Sequence, residues 1–224
     1  MMETVNGRRD KRRNKDERGF TLLELMMVTA FMVIVFASVA SVIVMSQRIF
    51  YNTSAYALLT QSSMQTLRYI SREISQTSPN LTPSHLNIAA GAGGNSTVCF
   101  QIPVDFDNDG DAVNGSMNPQ VEWGAYSQAG QTTNGLLNDW VCYSVNNTNQ
   151  LIRQVSDAAF APAAGQTPQV VANNVQTFQA VKNSNETLTM TVTLRATNNM
   201  GQSGAGRTFN ETFTSTTLLR NAVN

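Results

Sequence analysis

From Phe20 to Met45 the chain runs for 26 residues with one ionisable side chain, Glu24, and no glycine or proline. A helix needs roughly 20 apolar residues to cross a bilayer core. In lipid the backbone must satisfy its own hydrogen bonds, which a helix does within one segment. The run therefore predicts a membrane-spanning helix. Glycine and proline stay absent as far as Ser78, and Ser78-Pro79 and Thr82-Pro83 then supply helix stops. A helix from Phe20 to about Ser75 would be roughly 84 Å long at 1.5 Å per residue.

Residues 1–19 carry seven cations, Arg8, Arg9, Lys11, Arg12, Arg13, Lys15 and Arg18, against Glu3, Asp10, Asp16 and Glu17. Basic residues beside a span hold that end in the cytoplasm. The expected topology is a single pass, with the C-terminal part beyond the membrane. Two simpler assignments compete. A secretory signal peptide would be cut after a shorter apolar core, beside small residues. A plain anchor would leave Glu24 without a purpose, although an acid at mid-span costs about 2.5–3.5 kcal/mol to insert, and less near an end. Acids inside membranes tend to be paired and functional.

The segment Gly19-Phe20-Thr21-Leu22-Leu23-Glu24-Leu25 resembles the processing site of type IV prepilins and of type II secretion pseudopilins. The resemblance implies cleavage between Gly19 and Phe20 by a prepilin peptidase, N-methylation of the new Phe20 amine, and assembly with other pilin or pseudopilin subunits on an inner-membrane platform. Glu24 would then face the positive terminus of a neighbouring subunit. Many major pilins break this helix with glycine and proline. Here Val33 and Ser41 stand at those offsets, which favours a minor member. A weaker likeness, carried by Val171-Ala172-Asn173-Asn174-Val175 and by Thr216-Thr217-Leu218-Leu219-Arg220-Asn221, points to PilW-like minor pilins and the minor pseudopilin J.

The whole chain balances 15 basic against 15 acidic residues, and loss of residues 1–19 would leave 8 against 11. A mildly acidic mature chain is a poor candidate for direct nucleic-acid binding. The basic leader therefore reads as a topology signal.

Past the span, Ile49, Tyr56, Leu59, Ser63, Leu67, Ile70 and Ile74 recur at steps suited to one helix face, with Asn52, Ser62, Gln65 and Arg72 opposite. The remainder reads as a β-rich domain. Candidate strands are Thr97–Val104, Val121–Ser127, Asp139–Val145, Leu151–Val155, Val175–Val181, Thr187–Thr197 and Arg207–Leu219. In the clearest, Leu188, Met190, Val192 and Leu194 alternate with Thr187, Thr189, Thr191 and Thr193, as in a sheet with one buried face. Asn87–Ser96, Asn114–Gln120, Gln128–Asn138, Ser156–Pro168 and Asn198–Gly206 read as surface loops. The expected fold is α+β and pilin-like: a leader (1–19), a spanning helix (20–45), its amphipathic continuation (46–78) and an extracytoplasmic antiparallel β-domain (79–224).

Cys99 and Cys142 fall in different candidate strands. An even count outside the cytoplasm favours a disulfide; two buried free thiols are the alternative. Asp105, Asp107, Asp109 and Asp111 alternate through seven residues with Gly110 among them. Such crowded carboxylates suit a hard cation with oxygen ligands, Ca²⁺ above all. The spacing imitates the start of an EF-hand loop, yet Ser116 stands where the closing Glu would be. A local Ca²⁺ loop, with Glu122 or carbonyls completing it, competes with a solvated acidic turn.

Enzyme chemistry finds little support. His85, the sole histidine, is expected at the surface, and Trp123 and Trp140 in the core. There is no Cys-x-x-Cys, Walker loop or glycine fingerprint before a helix. Adjacent turn carboxylates are too crowded to flank a sugar. The expected function is structural: a minor subunit of a type IV pilus or type II secretion pseudopilus, moving from the bacterial inner membrane to the periplasm or cell surface on assembly. The alternative is a membrane-anchored adhesion or substrate-binding protein that uses a Ca²⁺-ordered loop.

Overall fold

The computed structural model describes residues 19–78, 84–114, 120–128, 131, 135–183, 186–198 and 207–219. The fold is α+β, one long helix followed by antiparallel sheets. The helix, α1, spans Leu22–Ile74. The chain divides into two compact units, residues 1–50 and 51–224, with the division falling inside α1.

In the first unit every described residue of α1 is exposed. This part contains a stretch long and apolar enough to cross a membrane, none of it buried by the protein. In the second unit α1 buries Leu59, Ser63, Thr66, Leu67, Ile70, Glu73 and Ile74. The upper part of the expected stripe is not covered: Ile49 and Tyr56 are exposed. Sheet packing takes up only the last turns, from Leu59 onward, and helix periodicity alone cannot say where a partner ends. The helix tightens at its end through Gln76 N–H to Glu73 O (3.2 Å) and Thr77 N–H to Ile74 O (3.1 Å). Such i→i−3 bonds satisfy carbonyls left over at a C-terminus. Pro79 and Pro83, the expected stops, lie outside the described residues.

The strands begin with β1 (Leu86–Ala90), β2 (Ser96–Phe100), β3 (Ile102–Pro103), β4 (Val113–Asn114) and β5 (Gln120–Val121). They continue with β6 (Trp123–Ala125), β7 (Leu136–Leu137), β8 (Trp140–Val145) and β9 (Leu151–Ser156). The last are β10 (Gln169–Ala172), β11 (Val175–Lys182), β12 (Thr187–Asn198) and β13 (Arg207–Leu218). A five-stranded sheet has the order β1-β2-β8-β9-β10, and a three-stranded sheet the order β11-β12-β13. Two smaller groups, β3-β6-β7 and β4-β5, complete the set.

Alternation places Leu188, Met190, Val192 and Leu194 of β12 in the core, each at most 1% exposed. They join Ile70 and Ile74 of α1 and Phe100, Tyr143, Leu151 and Phe178 in one apolar cluster. Full burial of such side chains stabilises by about 1.5–3 kcal/mol each. The rings of Phe100 and Tyr143 stack at 6.0 Å within it.

Several local expectations need correction. The segment Asn87–Ser96 is not all loop, because β1 pairs with β2 from Leu86↔Phe100 to Ala90↔Ser96. Two expected strands are interrupted, Thr97–Val104 at Gln101 and Val121–Ser127 at Glu122. Gln101 separates β2 from β3, its N–H turned to His85 O at 2.9 Å. At Gly124 in β6 an added Cβ would lie 2.1 Å from Leu136 O, so the approach of β7 demands glycine there. β7 itself lies within the expected loop Gln128–Asn138, and β10 follows the loop Ser156–Pro168. Trp123 and Trp140 are half-buried instead of core. Trp140 meets Phe160 edge-on at 5.1 Å.

Cys99 and Cys142 are directly paired across β2 and β8. They form a disulfide with Cα atoms 4.1 Å apart. Opposed positions on adjacent antiparallel strands bring their Cβ atoms together. With a sequence separation of 43 residues, chain entropy assigns the bond ~4 kcal/mol. The double substitution Cys99→Ala with Cys142→Ala should lower the unfolding free energy by about that amount in denaturant melts. An unchanged midpoint would show that the paired strands alone fix this part of the sheet.

Candidate functional site

The head of α1 is the first candidate. Helix geometry starts at Leu22, and Thr21 caps it: Thr21 Oγ1 accepts the Glu24 N–H at 3.2 Å. The carbonyl of Thr21 accepts the Leu25 N–H at 3.1 Å. Thr at this position satisfies one of the orphan donors of a helix start. Glu24 thus lies in the first turn, where a carboxylate meets the positive end of the helix dipole, worth about 0.3–1 kcal/mol. That gain is smaller than the insertion cost of an acid at mid-span, about 2.5–3.5 kcal/mol. Helix capping alone is a weak reason for an acid in an apolar run. The carboxylate makes no ion pair among the described residues.

Gly19 and Phe20 precede the helix and are exposed, Phe20 at 80%. A Cβ built on Gly19 would find nothing within 4 Å, and the residue does not adopt a left-handed backbone. Neither space nor strain requires glycine here.

The acidic loop is the second candidate. Asp105 and Glu122 are buried, while Asp107, Asp109 and Asp111 are exposed. Each aspartate turns a carboxylate onto the local backbone. Asp105 accepts the N–H groups of Asp109 and Gly110, both at 3.1 Å. Asp107 accepts the Asp109 N–H at 3.3 Å, Asp109 that of Asp111 at 3.0 Å, and Asp111 that of Val113 at 2.7 Å. Glu122 Oε2 holds the Phe106 N–H at 2.8 Å. Asn108 and Gly110 supply the left-handed turns, with φ of 62° and 100°. One ligand oxygen from each of Asp105, Asp107 and Asp109 falls within 4.8 Å of the others. Oxygens around one Ca²⁺ at 2.3–2.6 Å can be no further apart than about 5 Å. Those three carboxylates therefore fit a shared cation in spacing, and lone pairs remain on oxygens that already accept one bond. Asp111 lies outside that group of three.

A third arrangement is absent from the sequence reading. Arg153 of β9 and Glu73 of α1 are buried, 1% and 6% exposed, and joined at 2.7 Å. Arg153 Nε also donates to both Glu73 oxygens at 3.1 Å. Its Nη2 donates to Tyr126 O at 2.8 Å and its Nη1 to Ser127 O at 3.0 Å. The Tyr143 hydroxyl donates to Glu73 Oε2. Burial, and then the negative Glu73, push the Tyr143 hydroxyl well above its usual range. Burial opposes charge on Arg153, but the hydrogen bond and charge of Glu73 outweigh it and hold the guanidinium more firmly protonated. The cluster is a buried, multiply bonded lock between helix and sheet. Its signal was present in the pattern. Arg153 shares the inward period of Leu151 and Val155, and Glu73 stands in the stripe beside Ile70 and Ile74.

His85 is not at the surface. It is 8% exposed, bonded through Nδ1 to Gln101 Oε1 at 2.7 Å and stacked on Trp123 at 4.2 Å.

Comparison with known proteins brings no match, whether to a family model, a curated protein or a solved structure.

Proposed function

We propose that this chain is a structural minor subunit of a type IV pilus or type II secretion pseudopilus. It is cut between Gly19 and Phe20 by a prepilin peptidase, methylated at Phe20 and assembled through the first half of α1. The reading rests on one observation: a long apolar helix surface, uncovered by its own chain, begins with a lone carboxylate just after a glycine the fold does not need. Such a surface fits lipid first and neighbouring helices later. In a low-dielectric bundle a carboxylate gains far more from a cation than it does in water. The amine created at Phe20 is a cation of that kind. Pairing across subunits would fix their stagger, while apolar contact supplies most of the cohesion.

Replacing Gly19 with lysine tests the processing step without touching the fold, since the position is open. Full-length precursor should accumulate in the membrane, and no subunit should enter filaments. Normal trimming of Gly19→Lys, seen by intact mass, would remove the prepilin reading.

In this proposal Asp105, Asp107 and Asp109 hold one Ca²⁺ that orders the loop between β3 and β4, with carbonyls and water completing the 6–8 oxygens that ion prefers. The ion would supply charge neutralisation and rigidity, not chemistry. Ca²⁺ at about 100 times its dissociation constant should add about 2.7 kcal/mol to stability. Asp107→Asn combined with Asp109→Asn should abolish that gain. Absence of both binding heat and a melting shift at millimolar Ca²⁺ would reduce the loop to a set of aspartate turns.

A further inference from the structure

The outward face of β12 and β13 is a double column of threonines. Thr189 pairs with Thr216 and Thr191 with Thr214, both at 3.2 Å, and Thr193 with Thr212 at 2.9 Å. In each pair one hydroxyl donates to the other across the strands. The next outward position on β12 breaks the column with Arg195, whose cross-strand partner is Asn210. No carboxylate stands on this face near it. Glu211, one residue on, is opposite Leu194 and by alternation belongs to the other side. Among the described residues the Arg195 guanidinium makes no ion pair, so its charge is unneutralised there.

Arg195 lines a cavity of about 360 Å³ together with Thr148, Asn149, Asn174, Gln176 and Thr197. The walls are two neighbouring turns fastened to each other. Asn149 and Asn174 take left-handed backbone, φ 57° and 59°, which asparagine tolerates better than most residues. The Val175 N–H donates to Asn149 O at 2.8 Å, and the Arg195 N–H to Asn174 O at 2.8 Å. Gln150 Nε2 donates to Asn173 Oδ1 at 2.9 Å, and Asn146 Oδ1 holds the N–H groups of Thr148 and Gln150 at 3.0 and 2.9 Å. The cavity is therefore preorganised by bonds that do not use the Arg195 side chain.

We infer that this cavity binds a uronic acid, the carboxylate on the Arg195 fork and the ring hydroxyls on the surrounding amides and threonines. Guanidinium presents two parallel N–H donors that match a carboxylate in shape and in unit charge. A phosphate dianion would leave one charge unmatched. Of the remaining lining groups, Asn149, Asn174, Gln176 and Thr197 both donate and accept, as hydroxyl recognition requires, while the Thr148 hydroxyl, whose proton goes to Asn146 Oδ1 or Gln150 Oε1, can only accept. The volume falls in the range of small-ligand sites, roughly 300–1,000 Å³. The inference does not depend on filament assembly and uses no residue from the helix head.

The test uses the full chain in a detergent without sugar groups, with glucuronate and glucose as probes in ligand-observed NMR and calorimetry. Saturable glucuronate binding should weaken about tenfold or more in Arg195→Gln, because a charged hydrogen bond of 1.5–3 kcal/mol is lost. Arg195→Lys keeps the charge, loses the fork and should fall between. Glucose should bind parent and variant equally weakly, and rising salt should weaken glucuronate alone. A glucuronate-ended oligosaccharide that binds more tightly than the free acid identifies a polymer end as the natural source; equal affinity identifies the free sugar acid. The inference is overturned if glucuronate shows no saturable binding to the parent at tens of millimolar. It is equally overturned if Arg195→Gln binds as tightly as the parent with an unchanged melting curve, or if glucose matches glucuronate.

Discussion

Glu24→Ala is expected to leave removal of residues 1–19 largely intact while cutting incorporation into filaments by more than about tenfold. The reason is an asymmetry of cost. Deleting one partner of a desolvated ion pair leaves the other charge unpaired, a loss of about 3–5 kcal/mol. Each 1.4 kcal/mol is a factor of ten in an equilibrium. The helix itself survives the change, since Thr21 still caps it through its own hydroxyl and the dipole term is only about 0.3–1 kcal/mol. Glu24→Gln separates the two roles. Glutamine can serve a capping box nearly as well as glutamate, but it carries no charge for a neighbour's amine. If the pairing account holds, Glu24→Gln should be nearly as defective as Glu24→Ala. The readout is the ratio of sheared filament subunit to membrane-held subunit, with intact mass reporting cleavage. Normal incorporation of both variants would reassign Glu24 to helix initiation.

The second large effect concerns the buried lock. Arg153→Met should destabilise the second unit by about 3–5 kcal/mol, because Glu73 would stay buried without its cation. Glu73→Leu alone should cost a similar amount by stranding Arg153. The combination of Glu73→Leu with Arg153→Met should recover most of the loss, since apolar replacements of buried pairs are often neutral or better. Urea melts of the four proteins give the coupling directly. Additive losses would mean that Arg153 acts chiefly through its bonds to Tyr126 O and Ser127 O, and not through Glu73.

The parts of the fold that sequence made plain are those with strong period and no competing partner. The apolar run and its uninterrupted continuation gave α1 to within a residue or two, because no glycine or proline lies between Phe20 and Ser78. Strict alternation from Thr187 gave β12 and both of its faces. Short strands were hidden for physical reasons. β1 and β10 lie in stretches dominated by alanine, asparagine, glutamine and valine, where the two-residue period is faint. They are extended because β2 and β9 offer open edges for pairing. His85 was misjudged because its shelter comes from Gln101 and Trp123, both distant in sequence. Glu73 and Arg153 each look, in sequence, like a lone charged exception in an apolar stripe. Only the fold reveals that two such exceptions, 80 residues apart, answer each other.

The candidate site is legible where neighbouring residues define it. Gly19, Phe20 and Glu24 stand out from seven consecutive residues, and the structure adds that the fold asks for neither the glycine nor an apolar helix face without cover. The aspartate loop was legible in composition but not in division of labour. Which three carboxylates converge, with Asp111 outside their group, depends on left-handed turns at Asn108 and Gly110.

The most direct measurement is the intact mass of the subunit recovered from native membranes and sheared surface material, combined with site-directed cross-linking from position 24. The account predicts a chain beginning at a methylated Phe20, with the cross-link joining Glu24's position to the first residue of another subunit. A chain that retains residues 1–19 and cross-links to no other subunit would contradict it.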